Sequence, residues 1–499
     1  MNNSKREFLK GALVSVAGAS VNGFGLNLMA LANASAADMS TGYKALVCIY
    51  LDGGNDGFNT VIPWDVSEPG SIGLYDSYAN SRKVGNSGRA LKSLALDKPL
   101  ATSPQVFNSA AHHDLVTGNS LPIRFFMHPA LTKVQSLYQS GQAAVVANVG
   151  PLKQATSMTN FLRSTTFKLP PNLFSHSDQM EQWLRAQTNE SGVVGWGGTI
   201  ASLGPKPAGL DARSVFIGVQ TSFSNSPTLA PNQAAGTTSL NLARGTSNGG
   251  LKFGAREGGD GLFGIAGARS LLMDLLTDGQ ASANKLESTY SALVLRSSTV
   301  STQVEQMLAQ SVVPDAPAGN QLADDLRLVA KTIKANANST GRQVFYVSLP
   351  GFDTHNDQWV NQNLLLGKLD EAVAYFQNAL GTELFNKVTT FTASEFGRKM
   401  VQNDNGTDHG WGSHHFVIGG AVSGGKFYGS FPDYRELGQG YLMPDGTMIP
   451  TIPINNYIWP MAEWLGVDKA TVDQIFGFST TTNLFGQSSS TPLMRRPAV

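Results

Sequence analysis

The feature that most constrains this fold is a short, uninterrupted apolar run at residues 44–51, which reads ALVCIYL after its first lysine. Alternating apolar and polar residues would indicate a strand with one wet face, whereas a continuous run of this length is typical of a strand buried on both faces. Strands of that kind belong to parallel sheets that helices cover on both sides. The run ends at Asp52, where a DGGNDG sequence rich in turn residues begins.

The same arrangement returns along the chain. Further strands are predicted at 143–149, 215–219, 343–349 and 388–393. Helical spacing of apolar residues predicts helices at 128–140, 180–186, 266–276, 281–312, 321–335, 359–379 and 456–465. This alternation predicts an α/β fold with a mostly parallel central sheet flanked by helices.

The length of the chain predicts either two lobes or one large domain with an insertion. The 499 residues exceed the roughly 250–300 residues at which a single hydrophobic core stops growing. Residues 222–264 are dense in Ser, Asn, Gly and Pro without periodicity, and helical patterns follow them. We interpret about 222–340 as a loop-rich and helical insertion within a domain spanning 38–499.

Residues 1–37 have the pattern of an export signal and are set aside from the fold. The basic sequence SKREFLK at 4–10 resembles the twin-arginine signal SRRxFLK, with Lys5 in place of the first arginine. A mildly apolar stretch and a small-residue cleavage sequence follow. An uncleaved membrane anchor is the alternative, but the stretch falls short of the ~20 predominantly apolar residues that a span needs. We expect the twin-arginine translocase to be the export partner, the mature chain not to span the membrane, and its location to be periplasmic or secreted.

Charge and cysteine content narrow the function classes. The chain has 36 basic and 36 acidic side chains and a formal net charge of zero, so it lacks the basic footprint of a nucleic-acid-binding protein. Cys48 is the single cysteine and lies inside the first apolar run. We therefore expect a buried, inert thiol and no intramolecular disulfide.

Polar clusters rich in carboxylates and imidazoles follow the predicted strands. In open α/β sheets, ligands bind outside the carboxyl ends of the strands. Carboxylates and imidazoles together suit a divalent metal, with Zn, Mn, Mg or Ca as the candidates. The candidate metal ligands are Asp52, Asp353, His355, Glu395, Asp408, His409, His414 and His415.

Each cluster has a plainer interpretation when taken alone. An Asp-Gly after a strand is often only a turn, and an isolated Asp-x-His is more often a pair of polar surface residues. Their recurrence after successive predicted strands favours one shared site.

Several motifs, taken together, resemble an uncharacterised bacterial family exported by the twin-arginine route and known as domain of unknown function family 1501. The motifs are YLDGGNDGFNTVIP at 50–63, LFSH at 173–176, GFDTH at 351–355, SEFGR at 394–398, GTDHG at 406–410, GGAVSGG at 419–425, YG at 428–429 and WLG at 464–466. That family is grouped with the alkaline-phosphatase-like superfamily, which includes phosphatases, sulfatases and cofactor-independent phosphoglycerate mutases. The resemblance implies an alkaline-phosphatase-like α/β fold.

The resemblance also implies a site for two metal ions. Asp52 would be the ligand that ends the first strand, and Asp353 with His355 would match a later pair. Relatives carry Asp-His where this chain has Ser394-Glu395. The histidines and the aspartate of the 408–415 segment would have to complete the site.

A Ser or Thr nucleophile in a loop is a further implication, and Ser175 is the candidate. Its alternative role is to cap the helix that follows. His176 or Arg398 would contact the non-bridging oxygens of the substrate, since arginine offers two parallel donors to such groups.

These inferences predict an exported metal-dependent hydrolase that acts on small anionic esters of phosphate or sulfate. Two other classes stay open. The chain is alternatively a non-catalytic binding protein of the cell envelope that retains the fold, which the Ser394-Glu395 departure favours. The second alternative is that the chain is a partner of another exported protein and binds it through residues 222–264 and the helical insertion.

Overall fold

A mixed α/β architecture around one large sheet is seen in the computed structural model of the chain. The structure describes residues 42–64, 73–83, 94–100, 103, 105–108, 112–113, 120–121, 124–153, 156–158, 161, 169–186, 195–197, 216–218, 239–241, 268–292, 295, 308, 310–338, 342–429, 431–435, 437–467 and 493–494. The export signal predicted at 1–37 and most of the 222–264 segment lie outside these ranges.

Fourteen strands occur in the described part of the chain. They are β1 (Lys44–Asp52), β2 (Val61–Pro63), β3 (Val106–Asn108), β4 (His112–His113), β5 (Ser120–Leu121), β6 (Arg124–Met127), β7 (Ala143–Gly150), β8 (Phe216–Gly218), β9 (Ser239–Asn241), β10 (Arg342–Pro350), β11 (Val388–Ala393), β12 (Ser413–Ile418), β13 (Phe427–Tyr428) and β14 (Ile452–Pro453).

The helices lie between these strands and on both faces of the main sheet. They are α1 (Gly57–Thr60), α2 (Leu74–Ser81), α3 (Thr132–Gln139), α4 (His176–Arg185), α5 (Ala268–Gln280), α6 (Gln321–Asn336), α7 (Gln358–Phe385) and α8 (Ile454–Leu465). None of the helices within the described ranges is long and apolar enough to cross a membrane.

The main sheet has the strand order β13-β7-β12-β11-β1-β10-β8-β9, with β14 also paired to β7. Strands β11, β1, β10, β8 and β9 run parallel to their neighbours. Strand β12 is antiparallel to both β11 and β7. The prediction of a mostly parallel central sheet flanked by helices is therefore confirmed.

Both faces of β1 are buried, as its continuous apolar sequence predicts. Val47 and Ile49 face a core shared with α3, α6 and α7, whereas Cys48 and Tyr50 face a second core shared with α4 and α8. The alternation follows from the two-residue period of a strand. By the same period, Asp52 falls on the side of the sheet that α4 and α8 cover.

The segment predicted as an insertion contributes to the main fold where the structure describes it. Strand β9 pairs in parallel with β8 at the edge of the sheet. Helix α6 buries Leu322, Leu326 and Val329 in the core that also contains residues of α7. This helix therefore belongs to a layer that covers the sheet.

Candidate metal centre

Three adjacent parallel strands bring the predicted metal ligands to one edge of the sheet. Strand β1 lies between β10 and β11, and Asp52 is in register with Pro350 at the end of β10. Tyr50 is in register with Ala393, the last residue of β11. The segments that follow all three strands therefore begin side by side, as expected for ligand sites in open parallel sheets.

Close packing of these segments depends on Gly53, directly after β1. Gly53 has a φ of +118°, and a Cβ atom there would lie 2.2 Å from the backbone nitrogen of Asp353. The backbone N–H of Gly53 donates to Oε1 of Glu395 at 2.8 Å. Ser394, after β11, binds β1 directly, because its Oγ donates to the carbonyl of Leu51 at 2.7 Å. The Asp-Gly-Gly and Ser-Glu motifs thus hold β1, β10 and β11 together at the site.

Helix α4 delivers His176 to the same place. Ser175 is its N-cap, and its Oγ accepts from the backbone N–H of Asp178 while lying 2.5 Å from the Asp178 carboxylate. Gln179, one turn along the helix, donates to the carbonyl of Glu395 at 3.2 Å. These contacts hold the first turn of α4 against the segment after β11.

Four side chains converge at the centre of the site. The Nε2 atoms of His355 and His409 lie 3.0 Å apart, and they lie 3.1 Å and 3.3 Å from Oδ1 of Asp353. Nε2 of His176 lies 3.6 Å from the other carboxylate oxygen of Asp353. One ligand atom each from His176, Asp353 and His409 lies within 4.8 Å of the others. Ligand atoms around a tetrahedral zinc ion, with Zn–N distances of about 2.0–2.1 Å, lie about 3.3 Å apart.

In each of the three imidazole rings, the Nδ1 atom lies near an oxygen atom that orients the ring. Nδ1 of His409 lies 2.9 Å from the carbonyl oxygen of Phe174, and Nδ1 of His176 lies 2.8 Å from Oε1 of Glu395. Nδ1 of His355 lies 3.4 Å from a carboxylate oxygen of Asp408. Metal-ligating histidines usually show this arrangement, because a carboxylate or carbonyl on the outer nitrogen leaves the inner lone pair free for the ion.

Hydrogen bonds, neighbouring charges and burial shift the pKa values of the central groups. The hydrogen bond that His176 donates to Glu395 is the largest influence on His176 and raises its pKa. Partial burial raises the pKa of Asp353, but the hydrogen bond and charge of Arg398 outweigh it, and the net pKa is below the usual range. Burial lowers the pKa of His409, although the bond to the Phe174 carbonyl opposes that shift.

Asp52 has a different environment from Asp353. Burial, followed by the negative charge of Glu395, raises the pKa of Asp52 to about 6, although His176 opposes the shift. The Asp52 carboxylate therefore lies within the electrostatic reach of Glu395, His176 and Asp353. It is the end-of-strand aspartate that the sequence motif predicts, and its electrostatic neighbours include two of the four converging side chains, His176 and Asp353.

Arg398 is buried and its donors are used within the protein. Nε donates to the carbonyl of Gly54 at 2.9 Å, and Nη1 donates to the carbonyl of Thr407 at 2.9 Å. Nη2 contacts the carbonyls of Gly53 and Phe352 and the carboxylate of Asp353. These contacts favour a positioning role for Arg398 over the predicted substrate contact, because Arg398 holds the segments that carry the candidate metal ligands.

His414 and His415 lie inside β12, where both are buried. Nδ1 of His414 accepts from the backbone N–H of Asn148, and the His415 ring packs between Trp183 and Tyr457. Burial lowers the pKa of each to about 3. Their contacts are those of core histidines, so the structure does not bring them into the cluster.

Two phenylalanines contribute to the site in ways that the sequence analysis missed. Phe174 has a φ of 71°, a left-handed conformation that is uncommon for a bulky residue, and its carbonyl meets His409. The buried ring of Phe396 stacks on His409 with centroids 4.5 Å apart. Both lie within motifs that were noted, but no sequence signal reveals a backbone carbonyl or a stacking partner.

A comparison with known families supports a relationship across the later part of the site. Residues 280–440 match the model of a family described as a protein of unknown function (DUF1501). The matched stretch includes the segments after β10 and β11 but not Asp52 or His176. No protein with a curated description matches the chain. The resemblance to family 1501 is confirmed over the matched residues, whereas the superfamily and the export route stay predictions.

Proposed function

We propose that the chain is a metal-dependent hydrolase-like protein acting on small anionic esters. The observation that supports this best is the convergence of three imidazole Nε2 atoms on Asp353, while each Nδ1 atom is held by an oxygen. The candidate ligands are His176, Asp353, His355 and His409, and Asp52 is a further candidate beside them.

The donor set fits a divalent transition metal better than Mg²⁺ or Ca²⁺. Imidazole nitrogen suits Zn²⁺ and related ions, whereas Mg²⁺ and Ca²⁺ take oxygen ligands. Without a cation, lone pairs of His355, His409 and Asp353 would face one another at 3.0–3.3 Å unless a proton lay between them. A bound ion would act as a Lewis acid that neutralises charge developing on the ester oxygens.

The candidate ligands are partly open to solvent, and a buried carboxylate orients one of them. The side chains of His176, His355 and Asp353 are each exposed by about two fifths or more. The carboxylate of Glu395 is buried behind His176 and fixes the orientation of its ring.

Among the described contacts of Ser175, none joins its Oγ to the four converging side chains. We therefore assign Ser175 to capping α4, and the proposal takes water as the attacking group.

Export to the periplasm or the exterior belongs to the same proposal. The SKREFLK leader supports it, and a site assembled from histidines and carboxylates without cysteine ligands suits an oxidising compartment. The twin-arginine translocase is the proposed partner during export.

The test is metal content, measured by mass spectrometry on mature protein purified without chelators, followed by a screen of aryl phosphates and aryl sulfates. The wild type should carry about one or two ions per chain, and an Asp353→Ala, His409→Ala double variant should lose them together with any turnover. His128→Asn is the matched control, because Nδ1 of His128 accepts from the backbone N–H of Ala130, outside the cluster. Metal-free wild-type protein after loading with Zn²⁺ and Mn²⁺ would rule out the proposal.

A non-catalytic binding protein is the second candidate, and the engagement of Arg398 favours it. The donors of this arginine contact protein oxygens, so Arg398 does not offer them to an anionic ester. Retained metal without turnover of any ester would support this candidate over the hydrolase.

A further inference from the structure

A buried chain of three polar side chains connects the start of α7 with the segment that carries His409. Gln358, the first residue of α7, donates through Nε2 to the carboxylate of Asp56. The other amide atom of Gln358, Oε1, accepts from Oγ of Thr407 at 2.6 Å. All three residues are buried, so these bonds form away from bulk water.

The charge of Asp56 fixes the direction of this chain. A carboxylate accepts hydrogen bonds, so the NH₂ group of Gln358, and not its oxygen, must face Asp56. The same carboxylate accepts from Nη2 of Arg82 at 2.9 Å and from the backbone N–H of Phe58 at 3.0 Å. Asp56 is therefore held in place, and the amide oxygen of Gln358 is left facing the hydroxyl of Thr407.

Thr407 joins three parts of the candidate site through its three polar groups. Its backbone N–H donates to the carbonyl of Thr354, after β10, at 3.2 Å. Its carbonyl accepts from Nη1 of Arg398, after β11, at 2.9 Å. Its hydroxyl binds Gln358, at the start of α7. The residue before it, Gly406, packs so closely that a Cβ atom there would lie 2.2 Å from the carbonyl oxygen of His355.

The residues on either side of these contacts are candidate metal ligands and their partners. Thr407 is two residues before His409, whose Nε2 atom lies 3.0 Å from Nε2 of His355. Asp408 lies between them in the chain, and its carboxylate is 3.4 Å from Nδ1 of His355. Movement of this segment away from α7 would lengthen both distances.

Backbone bonds hold the segment on its other side. The N–H of Lys399, after β11, donates to the carbonyl of Asp408 at 3.0 Å. On the α7 side, the N–H of Gln358 donates to the carbonyl of Asn405 at 3.1 Å, two residues before Thr407. Among the described contacts with α7, the hydroxyl of Thr407 is therefore the one nearest along the chain to the histidine.

We propose that Gln358 and Thr407 are positioning residues of the candidate metal centre. Their hydrogen bond sets the distance of His409 and Asp408 from His355, and neither residue binds the ion itself. The plainer alternative is that the bond only adds stability. The role at the metal centre rests on the proposed function, but the placement of the His409 ring can be measured without metal.

The first experiment measures Zn²⁺ affinity of the mature chain by competition with a chromophoric chelator. Thr407→Val keeps the shape of the side chain and removes the hydroxyl, and it should weaken binding about tenfold, the smaller loss typical of outer partners of metal ligands. Thr407→Ser retains the hydroxyl and should restore the wild-type affinity. Thr332→Val is the matched control, because this buried hydroxyl donates to the carbonyl of Leu328 within α6. It should leave the affinity unchanged.

A double variant tests whether the effect passes through the Gln358–Thr407 bond. Gln358→Met should also weaken Zn²⁺ binding. Adding Thr407→Val to Gln358→Met should cost less affinity than Thr407→Val costs in the wild type, because both substitutions remove the same bond. Losses that multiply independently would overturn the inference.

The second experiment determines the tautomer of His409 in the presence of EDTA, by long-range proton–nitrogen NMR of histidine-labelled protein. The carbonyl of Phe174 faces Nδ1 of His409 at 2.9 Å, so the neutral ring should carry its proton on Nδ1. Absence of the signals in His409→Gln assigns them. Thr407→Val should move part of the population to the Nε2–H tautomer, because the ring is displaced from that carbonyl. Thr407→Ser and Thr332→Val should not.

Together the two experiments distinguish failure of the positioning role from failure of the proposed function. A wild type that binds no Zn²⁺ but shows a tautomer sensitive to Thr407→Val would remove the metal proposal and support the positioning of His409. Equal Zn²⁺ affinity in the wild type and Thr407→Val would overturn the inference and leave the metal proposal in place. An Nε2–H tautomer in the wild type would also overturn the inference.

Discussion

The Nε2 atoms of His355 and His409 lie 3.0 Å apart, with Oδ1 of Asp353 within 3.3 Å of both. The Nδ1 atom of His409 faces a carbonyl oxygen, which can only accept, so the proton of neutral His409 is on Nδ1. Its Nε2 then carries a lone pair directed at the same region as the Asp353 carboxylate. A proton on Nε2 of His355 or a bound metal ion would each separate these lone pairs.

Metal binding should release a proton from His176. The raised pKa of His176 means that its ring retains a proton to higher pH than a free histidine, and this proton must leave before Nε2 can bind an ion. Affinity for Zn²⁺ should therefore fall as pH decreases, because binding of the ion displaces the proton of His176. Calorimetric titrations in buffers of different ionisation enthalpy measure the number of protons released. A proton count of zero would contradict the participation of His176.

Glu395→Gln should weaken metal binding without abolishing it. The substitution replaces the carboxylate that holds Nδ1 of His176 at 2.8 Å by a neutral amide. Loss of such an outer carboxylate typically costs 10–100-fold in affinity. Competition with a chromophoric chelator gives the affinity. Glu383→Gln is the matched control, because Glu383 pairs with Lys387 on the exposed surface of α7. Equal losses in the two variants would remove the orienting role of Glu395.

Arg398→Met should destabilise the metal-free protein by about 3–5 kcal/mol, the cost of breaking a buried pair and leaving its partners unsatisfied. The guanidinium donates to carbonyls in the segment after β1, in the segment after β10 and at Thr407. The substitution removes the donor that these three places share. Urea unfolding with EDTA present measures the loss. Arg327→Met, at an exposed pair with Asp315, should change stability by less than about 1 kcal/mol. A loss at Arg398 as small as this would mean that other contacts hold these segments.

Ser175→Ala separates the two roles considered for this residue. As an N-cap of α4 it should cost about 1 kcal/mol of stability and change metal affinity by less than about twofold. Any ester hydrolysis found in the wild type should persist. Abolished turnover with normal metal content would restore the nucleophile that the sequence resemblance implies. Steady-state kinetics beside thermal unfolding distinguishes the two results.

Sequence reasoning succeeded where a local pattern determines the structure. The apolar run of β1 predicted a strand buried on both faces, and the polar residues that follow β1, β10 and β11 predicted the edge at which the cluster forms. His414 and His415 show the limit of this reasoning. Their proximity to His409 in sequence suggested ligands, but β12 begins at Ser413, and strand geometry places both rings in the cores on either side of the sheet. Arg398 could not be interpreted from sequence either, because its role depends on carbonyl groups brought together by folding.

The burial of His415 predicts a pH-dependent loss of stability that one substitution should reduce. The folded-state pKa of His415 is about 3 and the usual value is 6.5, so the unfolded chain binds the proton more readily. The stabilising effect of the neutral ring is complete above pH 6.5 and is lost as pH falls towards 3, by about 2 kcal/mol at pH 5. Phenylalanine fills a similar space between Trp183 and Tyr457, and it removes an Nε2 atom that has no partner among the described residues. The drop in unfolding free energy between pH 7.5 and pH 5 should therefore be about 2 kcal/mol smaller in His415→Phe than in the wild type. Denaturant unfolding at both pH values with EDTA present tests this, and an equal drop in the two proteins would show that His415 does not remain neutral in the folded state.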